Sequence, residues 1–231
     1  MHLDTSYTIR PAGTGDLWAV LRLLGDATGW LADKGLDQWQ GQGAARRRKV
    51  KVQTDIAAGV LFVVEHLGRV IATITVDEFA DADFWKRKDR PRDALYVHRM
   101  AVARTNAGVG LGAAMLDWAA VRAERVGRPL LRLDAWATNT ALHGYYRSLR
   151  FAHVRTEDVP GRGSGALFAR PSEVRTGTGP VLVERPRALA SGHLYGHRYG
   201  QRPHRKTRAS AARNAVRPRE AAAAGLATTA G

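Results

Sequence analysis

Val102-Ala103-Arg104-Thr105-Asn106-Ala107-Gly108-Val109-Gly110-Leu111-Gly112-Ala113-Ala114-Met115-Leu116 is the stretch that decides the fold. An apolar strand-like run ends at Val102. Three glycines follow at alternate positions, and an alanine- and leucine-rich helical run then begins. Glycine lets the backbone come close to an anion, and the first turn of a helix presents N–H groups that have no intrahelical acceptor. Together with the helix dipole, worth about 0.3–1 kcal/mol per anion, they make a ready cradle for a phosphate. Taken alone, Gly-x-Gly-x-Gly also describes a helix start that needs small residues for packing. A nucleotide P-loop is excluded because no Gly-Lys-Ser/Thr follows. A dinucleotide-binding turn is disfavoured, because this one comes in mid-chain after a hairpin pattern and no second βαβ repeat appears.

Working back from the turn, residues 94–102 read as a strand and residues 80–93, charged and holding Pro91, as a loop. Residues 61–65 and 70–76 are rich in β-branched residues and joined through Leu67-Gly68, a hairpin signal. The basic run Arg46-Arg47-Arg48-Lys49 opens a helix over 47–58. Asp16 is placed to cap a helix carrying Leu17, Val20, Leu21 and Leu24, and residues 7–11 alternate as a first strand. Working forward, the helix after the turn runs to about Val126 and is stopped by Gly127 and Pro129. Residues 130–136 form a buried strand, 140–149 a short helix, and 151–157 with 165–169 a closing hairpin. This order predicts an α/β fold with a mixed sheet and helices on both faces.

Bulk properties narrow the class. The chain has 231 residues, no cysteine and a net charge of +15. The lack of cysteine excludes disulfides, thiolate zinc sites and cysteine nucleophiles. No apolar run is long enough for a membrane span, and no signal-peptide pattern opens the chain, so a cytoplasmic location is expected. The charge is uneven. Residues 172–231 hold 11 Lys and Arg against 3 Asp and Glu, whereas residues 1–171 hold 25 against 18. With one strand-like patch, Val181-Leu182-Val183, the final segment reads as a basic, disordered tail behind a domain over 3–171. Such a tail gives salt-sensitive, non-specific phosphate affinity, and Tyr195 and Tyr199 offer stacking faces. A solvated extension without a nucleic-acid partner is the simpler expectation. His143, His193, His197 and His204 show no convincing metal-ligand spacing, so no metal is expected.

At this point the chain resembles the GNAT superfamily of N-acetyltransferases. The superfamily's turn, Gln/Arg-x-x-Gly-x-Gly/Ala, aligns on Gly110 and Gly112, with Gly108 extra and Ala107 in the Gln/Arg place. Arg104 lies three residues earlier, where it can substitute as a phosphate contact. A second signature runs from Asn139 to Phe151: Asn139, Tyr146 and Phe151 match in register, while Arg150 replaces the usual glycine. The resemblance covers residues 3–171. It implies the GNAT acyl-CoA N-acyltransferase fold and acetyl-CoA as co-substrate. It places Met100, Ala101, Val102, Ala107, Gly108, Val109, Gly110, Leu111, Gly112, Ala113 and Asn139 at the cofactor and makes Tyr146 the general acid. The implied acceptor is a primary amine on a small molecule or peptide, attacking directly in a ternary complex. The alternative is a non-catalytic acetyl-CoA-binding sensor or interaction module whose basic tail contacts nucleic acid. Homodimers are common in the superfamily, which is an analogy only.

The chemistry sets further expectations. An alkyl amine with a pKa of about 10 is mostly protonated at neutral pH, so a base must take its proton. Histidine exchanges protons near neutrality, and His98 lies on the strand before the turn, on the side of Tyr96 and Met100 by alternation. Glu65, Asp77, Glu78 and Asp134 are beside strands, and Asp134 is expected to pair with Arg132 or Arg99. If this strand splays from the next, as the resemblance implies, backbone N–H groups around Met100 and Val102 suit a developing oxyanion. The resemblance places the acceptor pocket by the first helices and the strand beyond the cofactor, which makes Trp30, Trp39 and Trp136 candidate walls, with Asp33 and Asp37 nearby to attract a cation; core packing is the alternative for these tryptophans.

Overall fold

A computed structural model describes residues 6–186. Eight strands form one sheet: β1 (Tyr7–Pro11), β2 (Leu61–His66), β3 (Arg69–Asp77), β4 (Ala94–Val102), β5 (Leu130–Trp136), β6 (Ala152–Thr156), β7 (Ser164–Pro171) and β8 (Leu182–Glu184). Their order is β6-β7-β5-β4-β3-β2-β1-β8. Neighbours are antiparallel except β4 with β5 and β1 with β8, which are parallel, so the sheet is mixed as expected. Four helices accompany it: α1 (Leu17–Asp33), α2 (Ala44–Ala57), α3 (Leu111–Arg125) and α4 (Thr140–Ser148).

Alternation along the strands sorts the core into two faces. Phe62 and Val64 of β2 pack with Leu111, Met115, Leu116 and Ala119 of α3 and with Tyr146 of α4. Leu61 and Val63 point the other way, to Val20 and Leu24 of α1 and Val52 and Ile56 of α2. Alanines at 113, 114, 119, 120 and 123 let α3 lie close against the sheet. Asp16 does not cap α1: its carboxylate accepts from the Arg10 guanidinium at 2.7 Å and from the Gly13 N–H at 2.7 Å, closing a short 3₁₀ turn that precedes the helix.

Two expectations are corrected. Residues 80–93 are not merely a charged loop. Phe84 and Trp85 are buried under β4 and β7 with Tyr96 and Leu167, and two 3₁₀ turns, Arg87–Asp89 and Pro91–Asp93, lead into β4. Arg155 of β6 holds this segment through the Asp89 carboxylate at 2.7 Å. Phe84→Ala is accordingly expected to cost about 3–5 kcal/mol of unfolding free energy, measured by urea titration, although the residue lies among charges.

The expected boundary at 171 also falls too early. The chain continues past β7, crosses α3 and returns to the sheet as β8 beside β1. Residues 187–231, and with them Tyr195, Tyr199, His193, His197 and His204, lie outside the described residues.

Candidate active site

The site begins where two parallel strands part. β4 pairs with β5 only over Ala94–Val97 and Leu130–Leu133. Beyond those residues β4 stays on β3, while β5 runs on along β7 to Trp136. The β5-facing backbone of residues 98–102 is left without a strand partner. The gap opens into a cleft of about 1180 Å³, lined by residues 97–102 on one side and 133–136 on the other.

A bulge sharpens the parting and corrects the alternation. Thr73 faces Ala101 and Thr75 faces His98, so Arg99 and Met100 together stand opposite Ile74. Arg99 has φ 46°. The extra residue reverses the side-chain order. His98 shares the face of Tyr96 and Asp77, whereas Met100 and Val102 turn to the opposite face and pack with the α3 cluster.

The glycine turn closes one end of the cleft. After a 3₁₀ turn at Arg104–Asn106 the backbone passes Gly108 at φ 85° and Gly110 at φ 77°, and α3 starts at Leu111. The helix's bonding begins with the Ala114 N–H donating to the Gly110 carbonyl at 3.0 Å. The amides of Leu111, Gly112 and Ala113 come before it, and no side chain caps them. Any Cβ on Gly112 would run into the Tyr145 hydroxyl, so the turn and this phenol are mutually fitted. Burial pushes the Tyr145 phenol up. Ala107, Gly108, Gly110, Leu111 and Gly112 all line the cleft, while Val109 is exposed and Ala113 buried behind it. Arg104 lines it too, its guanidinium 4.2 Å from the Trp30 ring centre, with no acidic partner among the described residues.

The other end gathers titratable side chains. His98 Nε2 lies 3.3 Å from Asp77 and Nδ1 3.9 Å from Asp134. Burial pushes the Asp134 carboxyl up. Burial acts on Asp77 in the same sense, but its interaction with His98 brings it net below the usual range. The expected partners of Asp134 are engaged elsewhere. Arg132 donates to the Asp89 carbonyl at 2.7 Å and to the Tyr96 hydroxyl at 3.2 Å, and Arg99 pairs with the buried Asp55. Glu65 pairs with Arg10 and Glu78 with Arg128, both away from the cleft.

Tyr146 faces the same cleft from α4, among the rings of Tyr145, Phe151 and Phe168. Burial raises its phenol far above the ordinary tyrosine range, with Tyr145 and Asp134 adding to the effect. Asn139 caps α4, accepting from the Leu142 N–H at 3.0 Å, and donates to Gln38 at 2.9 Å. Both ends of its amide are therefore engaged within the protein, and the residue lines the cleft at the start of α4.

The three tryptophans line the cleft but separate by task. Trp136 donates to Asp37 at 2.7 Å and lies flat on Gly163, where any Cβ would overlap the ring. Trp39, at φ 64°, packs with the α1–α2 cluster, and Trp30 carries Arg104. Asp37 is thus taken up by Trp136, and Asp33 is exposed outside the cleft lining. Phe79, Asp81, Arg162 and Ser164 also line this end, and Arg162 pairs with Asp81 at 2.5 Å. The sequence pattern held no sign of them: Phe79 and Asp81 follow β3, Arg162 and Ser164 lie at the start of β7, and no spacing links the two pairs.

His143 makes a hydrogen bond to the Trp136 carbonyl at 2.9 Å, and among the described residues no group of three or more His, Cys, Asp or Glu is placed to hold a metal ion. Nor is any helix of the described residues long and apolar enough to cross a membrane.

Comparison with known proteins agrees with this geometry. The sequence model of the Acetyltransferase (GNAT) family matches residues 30–151. An uncharacterized N-acetyltransferase, YesJ of Bacillus subtilis, is 32% identical over 145 residues, covering 61% of this chain and 79% of that one. A GNAT-family acetyltransferase from Streptococcus agalactiae superposes with a TM-score of 0.58 at 20% identity, over 73% of this chain and 96% of its own. The PaiA N-acetyltransferase of Thermoplasma acidophilum, solved in complex with coenzyme A, does so with a TM-score of 0.55 at 15% identity, over 72% and 99%. At these identities the two structures share the fold with this chain.

Proposed function

We propose, from the premise that this chain belongs to the acetyltransferase (GNAT) family, that it moves the acetyl group of acetyl-CoA to a primary amine of a small molecule or peptide by direct attack in a ternary complex. The observation that carries this reading is the parting of β4 and β5. It joins a cradle of free amides at one end to a histidine between two carboxylates at the other.

Coenzyme A suits the cradle. The amides of Leu111, Gly112 and Ala113 meet a diphosphate, and Arg104 adds a charge at the rim in place of the side chain that Ala107 lacks. Acetyl-CoA supplies an activated acyl group, and the residues of this chain do the rest. The unpaired backbone N–H groups of residues 98–102 donate to the thioester carbonyl oxygen as it gains charge. His98, oriented by Asp77 and Asp134, takes the proton of the incoming amine as the C–N bond forms. Tyr146 gives its proton to the sulfur as the C–S bond breaks. Trp39, Trp136 and Phe79 wall the acceptor side.

A coenzyme A sensor without turnover is the second reading, and Ala107 in the Gln/Arg place favours it. A panel of primary amines assayed for acetyl-CoA-dependent release of free thiol separates the two. Acetyl transfer requires release that depends on the amine and an acetylated product by mass spectrometry. Binding of coenzyme A with no product from any amine would favour the sensor.

A further inference from the structure

The segment after β7 makes a set of contacts that the reaction does not explain. From Ser172 the chain runs across α3 to β8. Asp117, on α3, holds it with one carboxylate oxygen, which accepts from the Thr176 N–H at 2.8 Å, the Thr176 hydroxyl at 2.9 Å and the Gly177 N–H at 2.9 Å. The other oxygen of Asp117 lies 3.0 Å from Arg170, whose side chain is fully buried and also donates to the Leu116 and Leu149 carbonyls. Further along α3, Arg175 pairs with Glu124, and Glu184 of β8 pairs with Arg125 at 2.9 Å. The segment is therefore tied down at both ends of its crossing.

Between those ties it touches the glycine turn. A Cβ on Gly110 would lie 2.7 Å from the Gly179 Cα and 3.0 Å from its nitrogen. In return, a Cβ on Gly179 would run into the Gly110 carbonyl oxygen. That carbonyl is the first acceptor of α3. Both residues have positive φ, 77° and 93°, so each is glycine for conformation as well as for space. The two backbones thus meet at the turn whose Gly110, Leu111 and Gly112 line the cleft, and Gly179 itself is not part of that lining.

We propose that residues 172–184 form a strap that sets the position of the phosphate-binding turn, with Gly179 as the contact and Asp117 as the positioning residue that fixes the strap to α3. This rests on the reading that the turn takes the diphosphate of coenzyme A. The strap touches no ligand; it holds the Gly110 peptide, and through it the three free amides, at the angle needed to converge on an anion. A side chain on Gly179 displaces that peptide and spoils the convergence, while leaving His98 and Tyr146, on other elements, in place.

The test is calorimetric titration of the full-length protein with coenzyme A, together with KM for acetyl-CoA and kcat on any amine that the wild type acetylates. Gly179→Ala is expected to weaken coenzyme A binding tenfold or more and to raise KM for acetyl-CoA in step, with kcat within about twofold. Gly127→Ala is the matched control. It places the same kind of residue at φ 70° in open space, away from the turn, and should bind coenzyme A as the wild type does. Equal binding by folded Gly179→Ala and wild type would overturn the strap. If Gly179→Ala does not fold, Thr176→Ala, which removes one of the three bonds to Asp117, should raise KM about threefold with kcat unchanged, and an unchanged KM would overturn it. Failure of the wild type itself to bind coenzyme A would refute the underlying reading of the turn, a result distinct from either.

Discussion

His98→Gln is expected to lower kcat/KM for acetyl transfer about 100- to 1000-fold near pH 7, within the range of a general-base contribution. The loss falls on kcat, and KM for acetyl-CoA changes little, because His98 lies at the far end of the cleft from the glycine turn. Gln keeps the volume and a hydrogen-bonding end between Asp77 and Asp134, so the fold should survive, which thermal unfolding will check. The geometry also orders the neighbours. Asp77, 3.3 Å from Nε2, and Asp134, 3.9 Å from Nδ1, act by orienting the ring, so Asp77→Asn should cost less than His98→Gln. Equal turnover by the Gln variant and the wild type would remove His98 from the reaction.

Tyr146→Phe is the second large effect, expected to lower kcat about 100-fold with KM for acetyl-CoA within about twofold. The phenol is buried among three aromatic rings, so the ring alone preserves most of the packing. Burial raises its pKa, so the phenol carries its proton at neutral pH and is placed to hydrogen-bond to the departing sulfur. The same shift gives a stability signature with a definite sign. An unfolded tyrosine loses its proton near pH ~10, while the native one keeps it. The phenol's contribution is therefore complete below pH ~10 and is lost as pH rises beyond it. Wild-type stability should fall more steeply than that of the Phe variant above that pH, measured by urea titration at fixed pH values. A kcat unchanged by the substitution would assign the leaving proton to another donor, and Tyr145, whose hydroxyl meets Gly112, is next in line.

Much of this was legible in the sequence for identifiable reasons. Leu61, Phe62, Val63 and Val64 are a short unbroken apolar run rich in β-branched residues, which marks a strand covered on both faces, and the structure sends them alternately to two helical layers. The glycines at 108, 110 and 112 mark a strand-to-helix junction because each is needed there for turning or close approach. The bulge was not legible. Alternation carries His98 and Met100 to one side, and only the strand opposite reveals the extra residue at Arg99 that divides them. The partners of Asp134 were hidden for a similar reason: Arg132 is near in sequence and Arg99 lies on the neighbouring strand, but each is claimed by a group from a distant element. Phe84 and Trp85 stood among charges, where two adjacent large aromatics were the one available sign of burial. The crossing over α3 is held by backbone N–H groups on Asp117 and by glycine against glycine. None of these leaves an apolar period, so residues 172–184 read as tail.

The proposed reaction needs one arrangement, in which three amides at the start of α3 hold a diphosphate and the attached thioester lies in the gap between β4 and β5. A crystal structure with coenzyme A bound tests it most directly. It should show the diphosphate within hydrogen-bonding distance of the Leu111, Gly112 and Ala113 amides, with the pantetheine arm along residues 98–102 and its sulfur facing Tyr146. A diphosphate bound elsewhere, or an arm that leaves the β4–β5 gap empty, would contradict it.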